Sequence, residues 1–350
     1  MTEVISGSSA RMKRRLVLIV SVGIVALLIM ILLSLACGTV NYPLSTVLDS
    51  LKNVLNNGVE TGIDRTIFNL RMPRVLATFA VGAGLAVAGI VFQAIIRNPL
   101  VDPYMTGVSS GAGLGATLFI IIFSSTLSFG GNYAMPIFAF VFAVIAFMMT
   151  FMISKFSGNN NVSFVLSGVI TAMGFSAVTT ILMLTNDDKT HNILGFLNGS
   201  FSAISWEMCM IMLIPVLVIS FIIMIYSRTF NVILLGREQA MELGVNYDSF
   251  RLIMMLIASF LTAICVSFVG IIGFVGLIVP HLARMALGGD HRLLIPASMV
   301  IGALLLSAAD LLVKELINVA SVTLPIGAIT TLVGIPFFVY ILKRRGKGYA

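Results

Sequence analysis

Charge is scarce in this chain. Asp, Glu, Lys and Arg make up 10% of its 350 residues, where soluble domains carry about a quarter, and that scarcity excludes an ordinary soluble domain. Cysteine is nearly missing as well. Cys37, Cys209 and Cys265 stand alone within or beside apolar runs, without disulfide or metal-ligand spacing, and read as small core residues. No GxxxxGK[ST] phosphate loop is present, so the chain is not expected to hydrolyse ATP itself. His191, His281 and His291 are too scattered for a metal site, and no Ser/His/Asp or paired-carboxylate constellation is visible. No catalytic residue, metal or cofactor is therefore expected, and the net charge of +7 requires no nucleic acid partner.

What fills the sequence instead is hydrocarbon, 59% hydrophobic residues and a mean hydropathy of +1.08. A crossing helix needs about 20 apolar residues. Runs of that order lie at 16–36, 73–95, 104–123, 133–155, 162–184, 206–227, 250–269, 270–287, 293–313 and 325–342, with Gly270, Gly273 and Gly276 interrupting the 250–287 stretch. Backbone groups in lipid must be bonded within their own segment, so these ten runs predict an all-α polytopic membrane protein. The expected organisation is a basic tail over 1–15, one transmembrane domain over 16–342 and a second basic tail over 343–350. The apolar stretch after Arg15 is too long for a signal-peptide core, and a lipidation-type cleavage before Cys37 would want an aliphatic residue where Ser34 stands. Residues 16–36 thus read as a retained anchor.

Basic residues concentrate on the cytoplasmic side of membranes. With the N-terminus inside, fifteen lie in the cytoplasm: Arg11, Lys13, Arg14, Arg15, Arg97, Lys155, Arg228, Arg237, Arg251, Arg284, Arg292, Lys343, Arg344, Arg345 and Lys347. Six lie outside, Lys52, Arg65, Arg71, Arg74, Lys189 and Lys314, completing the 21 Lys and Arg. Both termini are then cytoplasmic, and the basic ends suit the anionic lipids of the inner leaflet.

The spans carry almost no ionisable groups. Glu207 begins span six, Arg284 ends span eight, and Asp310 sits a turn from the outer end of span nine with Lys314 at i+4 on the same face. Ion-coupled transporters usually hold such groups at mid-membrane, so a satisfied Asp310–Lys314 pair is favoured over a proton relay, and an energy source other than an ion gradient is expected. An ATPase would then be a separate partner. Its entry point would be the polar island "LLGREQAMELGVNYDSFR" (Leu234–Arg251), which lies in the cytoplasm between spans six and seven. There Glu238 and Glu242 share one helix face and Ala240 and Leu243 another, with Gly244 as a left-handed cap. The segment predicts a surface helix of about two turns; a solvated loop is the alternative.

Several stretches together resemble the FecCD family, the permease subunits of iron-siderophore, haem and cobalamin ABC importers. They are "RMPRVLATFAVGAGLAVAGIVFQAIIRNPLVDPYMTGVSSGAGLGA" (71–116), the island's "LGREQAMELGV", "GFVGLIVPHLARMALGGDHR" and "LPIGAITTLVGIPFFVYIL". "GFLNGS" (195–200) departs from the family, where many relatives carry a Trp before the glycine. The resemblance implies a type II importer fold like that of the cobalamin importer permease, in the cytoplasmic (inner) membrane. It also implies the partners: ATP-binding cassette ATPase subunits, an extracytoplasmic substrate-binding protein, and a second permease, either an identical copy or a paralogue.

By the same resemblance Gly236, Glu238, Ala240, Leu243 and Gly244 couple to the ATPase, with Ala240 open to close approach. Arg71, Arg74 and Lys314 dock the binding protein; snorkelling anchors are the alternative for the two arginines, and the Asp310 pairing competes for Lys314. Asn98, Leu100 and Asn161 belong to a cytoplasmic gate, with an ordinary turn as the alternative. Ser167, Gly168, Thr171 and Gly174 either line a path at a dimer axis or pack helices, and Gly111 and Gly115 form a small-xxx-small packing pair. The implied cargo is a ferric siderophore, with haem or cobalamin as alternatives. An ion-coupled transporter and a non-transporting scaffold are the remote readings.

Overall fold

The computed structural model describes residues 2–123, 133–158, 160–320 and 324–346, with side chains described over 14–123, 133–158, 160–316 and 324–339. Among the basic tail residues, the side chains of Arg11, Lys13, Lys343, Arg344 and Arg345, and all of Lys347, lie outside the described residues.

Regular structure among the described residues is helical throughout. The helices are α1 (Thr2–Ala36), α2 (Leu44–Asn57), α3 (Gly62–Asp64), α4 (Met72–Ile96), α5 (Val108–Phe123), α6 (Ala134–Phe156), α7 (Asn161–Leu184) and α8 (Thr190–Leu197). They continue with α9 (Trp206–Ile225), α10 (Ser227–Ile233), α11 (Arg237–Glu242), α12 (Tyr247–Val269), α13 (Val275–Leu287), α14 (His291–Ala320) and α15 (Ile326–Gly346). Seven apolar segments are long enough to cross a membrane, and α5, α13 and α15 supply shorter apolar helices. Among the described residues these ten apolar helices follow the order of the ten hydrophobic runs.

One boundary is corrected. The eighth run begins at Val275 rather than Gly270, because α12 ends on Gly270 (φ +76°) and the next four residues are not helical. A thirteen-residue helix is about 20 Å long, too short to span alone; the irregular stretch before it is tolerated because it is enclosed by protein. Gly270 abuts the Phe196 carbonyl at the end of α8, so a side chain there would collide with backbone.

The helix α4 is the axis of the bundle, buried along almost its whole length. Lipid tails give no hydrophobic reward for helix association, so close approach of small residues must supply the packing. Gly82 of α4 meets Gly302 of α14, and Gly89 meets Gly276 of α13; a Cβ on either α4 glycine would overlap the facing carbonyl oxygen. The same device recurs where Gly111 and Gly115 of α5 rest on the Phe142 and Phe138 carbonyls of α6.

The helix α2 lies outside the ten hydrophobic runs. Its apolar spacing, Leu44, Val47, Leu48, Leu51, Val54 and Leu55, fits a helix, but a search for long hydrophobic runs misses it. The helix is pinned by Asp64, which accepts from Ser50 Oγ at 2.5 Å and Asn53 Nδ2 at 2.9 Å while closing a capping box with Thr61. A π-helix, Arg65–Arg71, then leads into α4.

Candidate functional sites at the two ends of the bundle

The polar island forms a compact hairpin of α10, α11 and the start of α12. Gly236 opens α11 with φ +130°, and Gly244 closes it with φ +82°. The Gly244 N–H donates to Met241 O at 3.0 Å and the Val245 N–H to Ala240 O at 2.9 Å, the paired bonds of a Schellman end. Val245 and Ala240 then meet in a small apolar cluster with Ile233 and Tyr247.

That cluster corrects one expectation. Ala240 does not share a face with Leu243: it is fully buried against its own chain, whereas Leu243 is 61% exposed. The reason is geometric. Residue 240 lies in the middle of α11 and packs onto Ile233 of α10 and Tyr247 of α12, while the cap residue Leu243 faces outward. The surface left open is apolar, formed by Leu234, Leu235, Met241 and Leu243, with Glu238 and Glu242 also exposed. Arg237 and Asp248 form an exposed pair at 2.6 Å, which contributes little.

The gate candidates cluster at the same end. Asn98 is exposed, and its side-chain oxygen accepts from the Leu100 N–H at 3.0 Å. From the start of α7, Asn161 Nδ2 donates to Ile96 O at 3.2 Å, two residues before Asn98. The structure thus gathers Asn98, Leu100 and Asn161 around the C-terminal end of α4. Asp102 caps the following turn by accepting from Tyr104 N at 2.8 Å, and burial pushes its carboxyl pKa up to about 6. Thr171 packs against the same segment at Gly107, and Gly168 presses on the Met105 carbonyl, while Gly174 faces open space.

At the opposite end the three docking candidates all have partners within the chain. Arg71 Nη1 donates to Leu35 O at 2.6 Å and Ala36 O at 3.1 Å, Nη2 donates to Val40 O at 2.5 Å, and the guanidinium lies 4.9 Å from the Tyr42 ring centroid. It caps the C-terminus of α1, where free carbonyls and the helix dipole favour a cation. Arg74 grips both oxygens of Asp310, with Nε at 3.0 Å from each and Nη2 at 2.7 Å from Oδ1. Lys314 Nζ stands 3.2 Å from Asp310 Oδ2. The i+4 pairing read from sequence is present, joined by an arginine 236 positions away that no spacing rule could supply. Arg71 and Lys314 are 7% and 6% exposed, so Arg74 is the cation with an open edge. It borders a cavity of about 250 Å³ with His191, Asn198, Ser200 and Ser202. Asp310 is the shared counter-ion of the two cations.

Comparisons with known proteins identify the family and the fold. A family model described as the FecCD transport family matches residues 26–344. The chain is 36% identical to the molybdate import system permease protein MolB of Haemophilus influenzae, over 81% of this chain and 83% of that protein. It is 37% identical to the cobalamin import system permease protein BtuC of Halobacterium salinarum, over 83% of this chain and 77% of that one. Among solved structures, an inward-facing metal-chelate type ABC transporter superposes with a TM-score of 0.79 at 31% identity, covering 92% of this chain and 97% of that chain.

Proposed function

The chain belongs to the FecCD transport family, and from that membership we propose that it is the permease of an ATP-driven importer that moves a metal chelate into the cytoplasm, a ferric siderophore first. The observation that carries the reading is the hairpin. A rigid loop between membrane helices that presents Leu234, Leu235, Met241 and Leu243 beside two carboxylates is built to be covered by a protein. Separate ATPase subunits bind there, the glutamates meeting basic groups of the partner. Gly236 and Gly244 set the backbone of α11, Ala240 seats it on the permease, and Leu243 and Glu238 meet the partner. The hairpin end is then cytoplasmic, with both termini on the same side.

At the outer end an extracytoplasmic binding protein docks over Arg74. Arg71 and Lys314 act there through the positive field of that end more than by direct contact. Asn98, Leu100 and Asn161 close the cytoplasmic gate, and a second permease completes the pathway. The relatives are named for cargoes as different as molybdate and cobalamin, so the chelate assignment leans on the metal-chelate transporter that shares the fold.

Uptake by a strain lacking this gene tests the reading, with labelled ferric siderophores, haem, cobalamin and molybdate supplied in turn. One ferric chelate should enter only when the wild-type gene is restored, and ATP depletion should abolish its entry. Restored uptake of another cargo would replace the chelate assignment. Uptake that survives ATP depletion but collapses with the proton gradient would overturn the ATP-driven mechanism.

A further inference from the structure

The segment from Arg97 to Gly107 lies between two elements far apart in sequence, the hairpin and the irregular stretch before α13. Arg97 leaves α4 with φ +55° and ψ +35°, a left-handed conformation that glycine adopts freely and branched or long side chains adopt at a penalty. A backbone site suited to glycine therefore holds one of the longest cationic side chains. That side chain reaches across the hairpin's base: Nη2 donates to Ile233 O at 3.3 Å, the last residue of α10. The guanidinium carbon stands 5.8 Å from the ring centroid of Tyr247, the first residue of α12, within cation–π range. Thus one side chain touches both feet of the loop that carries α11. Beneath it is not packed core but a cavity of about 300 Å³, bordered also by Pro99, Leu234 and His291.

The other end of the segment is tied just as definitely. The Tyr104 hydroxyl donates to Ile272 O at 2.9 Å and accepts from Ile272 N at 3.2 Å. Gln93, one turn before Arg97, donates from Nε2 to Val101 O at 3.3 Å and to Gly276 O at 3.2 Å. These contacts form a continuous chain from the hairpin through Arg97 and the end of α4 to Tyr104, Gln93 and α13.

We infer that Arg97 is a positioning residue that couples the ATPase-facing hairpin to the cytoplasmic gate. The inference rests on the permease reading. It predicts that the link is severed, with the fold and the ATPase surface left in place, when the side chain is removed and the backbone geometry kept. Arg97→Gly does this, because glycine favours the left-handed conformation. Arg97→Lys retains a cation able to reach Ile233 O and the ring, though without the planar fork. Tyr247→Phe keeps the aromatic face.

The test uses the full permease co-expressed with its ATPase in nanodiscs. Leu100→Cys is the gate reporter in a Cys37→Ser background, where the remaining Cys209 and Cys265 are buried. Two quantities are read, the rate of ATP hydrolysis and the maleimide-labelling rate of Cys at position 100 with and without trapped nucleotide. In the Arg97 parent, trapped nucleotide should change labelling about tenfold, toward the lower end of the usual range of coupling between sites. Arg97→Gly should keep hydrolysing ATP while this ratio falls to near unity; Arg97→Lys should recover part of it, and Tyr247→Phe should match the parent. A parental ratio in Arg97→Gly refutes the link. Loss of ATPase assembly in that variant also refutes it, since the arginine would then shape the docking surface. A parent that binds the ATPase but whose gate ignores nucleotide sinks the permease reading itself.

Discussion

Replacing Asp310 by alanine strands two cations at once. Asp310 is 2% exposed and is the shared counter-ion of Arg74 and Lys314. Without it the hydrogen bond left to Lys314, 6% exposed, is among the described residues the one to the Ser34 carbonyl at 3.4 Å. Removing one partner of a buried ion pair costs about 3–5 kcal/mol, because an uncompensated charge remains out of water. Lys314→Met behaves differently. It leaves the two-pronged Arg74–Asp310 pair balanced and replaces a buried ammonium with an apolar chain of similar length, so its expected cost is below about 1 kcal/mol. The prediction is thus an asymmetry within one ion cluster. Trp206 is the only tryptophan, and its indole N–H donates to Phe68 O at 2.8 Å near the start of α4, so its emission reports on this end of the bundle. Unfolding of the purified permease in mixed micelles, followed by that emission against the mole fraction of SDS, gives the midpoints. Asp310→Ala should shift the midpoint strongly and Lys314→Met hardly at all, while adding Lys314→Met to Asp310→Ala should recover part of the loss. Equal shifts for the two single variants would refute the assignment of Asp310 as the common counter-ion.

Three further outcomes follow from the structure. Gly89→Val should prevent a stable bundle, with loss of the monodisperse peak in detergent chromatography, because its side chain would sit in the Gly276 backbone where neither helix can yield without parting. Leu243→Glu should leave thermal stability within about 0.5 kcal/mol, since the side chain is solvent-facing, yet weaken co-purification of the ATPase; unchanged co-purification would remove Leu243 from the interface. Asp102 gives a pH signature. Its carboxyl pKa of about 6 lies above the unfolded value near 4, so the folded state holds its proton longer. Stability is greatest below that lower value and falls as pH rises through the higher one, by about 1–2 kcal/mol for a side chain still partly exposed. Asp102→Asn retains an oxygen for the Tyr104 N–H and should flatten this part of the profile in a parent-minus-variant comparison of thermal midpoints from pH 4 to 7.

The hydrophobic pattern made the fold legible because bilayer thickness imposes a length on every crossing run. It placed ten helices in order and located the break after Val269 from glycine alone. It did not place α2 and α8, whose stability comes from neighbours: Asp64 anchors the first, and the second ends against Gly270. The hairpin was legible at the C-terminal cap of α11, since Gly244 takes a left-handed backbone that few residues tolerate. Its facing was not. With apolar residues at 233, 234, 235, 240, 241 and 243, periodicity over six helical residues cannot say which of them turn inward, and the cluster of Ile233, Ala240 and Tyr247 is decided by a chain reversal. Arg74 and Asp310 were individually conspicuous as charges near apolar runs, but their pairing joins the start of α4 to the far part of α14. Only the fold brings them together.

The same features bear on how force would cross the membrane. The helix α4 carries an ion pair at one end, through Arg74, and a cation bonded to the base of the hairpin at the other, through Arg97. Between them it meets α14 at Gly82 and α13 at Gly89 with backbone against backbone. Contacts of that kind have no side-chain slack to absorb a displacement, so α4, α13 and α14 must shift as one body when the hairpin is pushed. The helix α7 is different. It is largely exposed, with Ile170, Met173 and Ile181 open, and it touches the end of α4 through Asn161. If the proposed gate lies where this trio meets α7, it would open by relative sliding, with Asn161 at the seam. Asn161→Leu removes the hydrogen bond to Ile96 O but keeps the bulk, so it should raise the basal labelling of a Leu100→Cys reporter without nucleotide. Unchanged basal labelling would place the seam elsewhere.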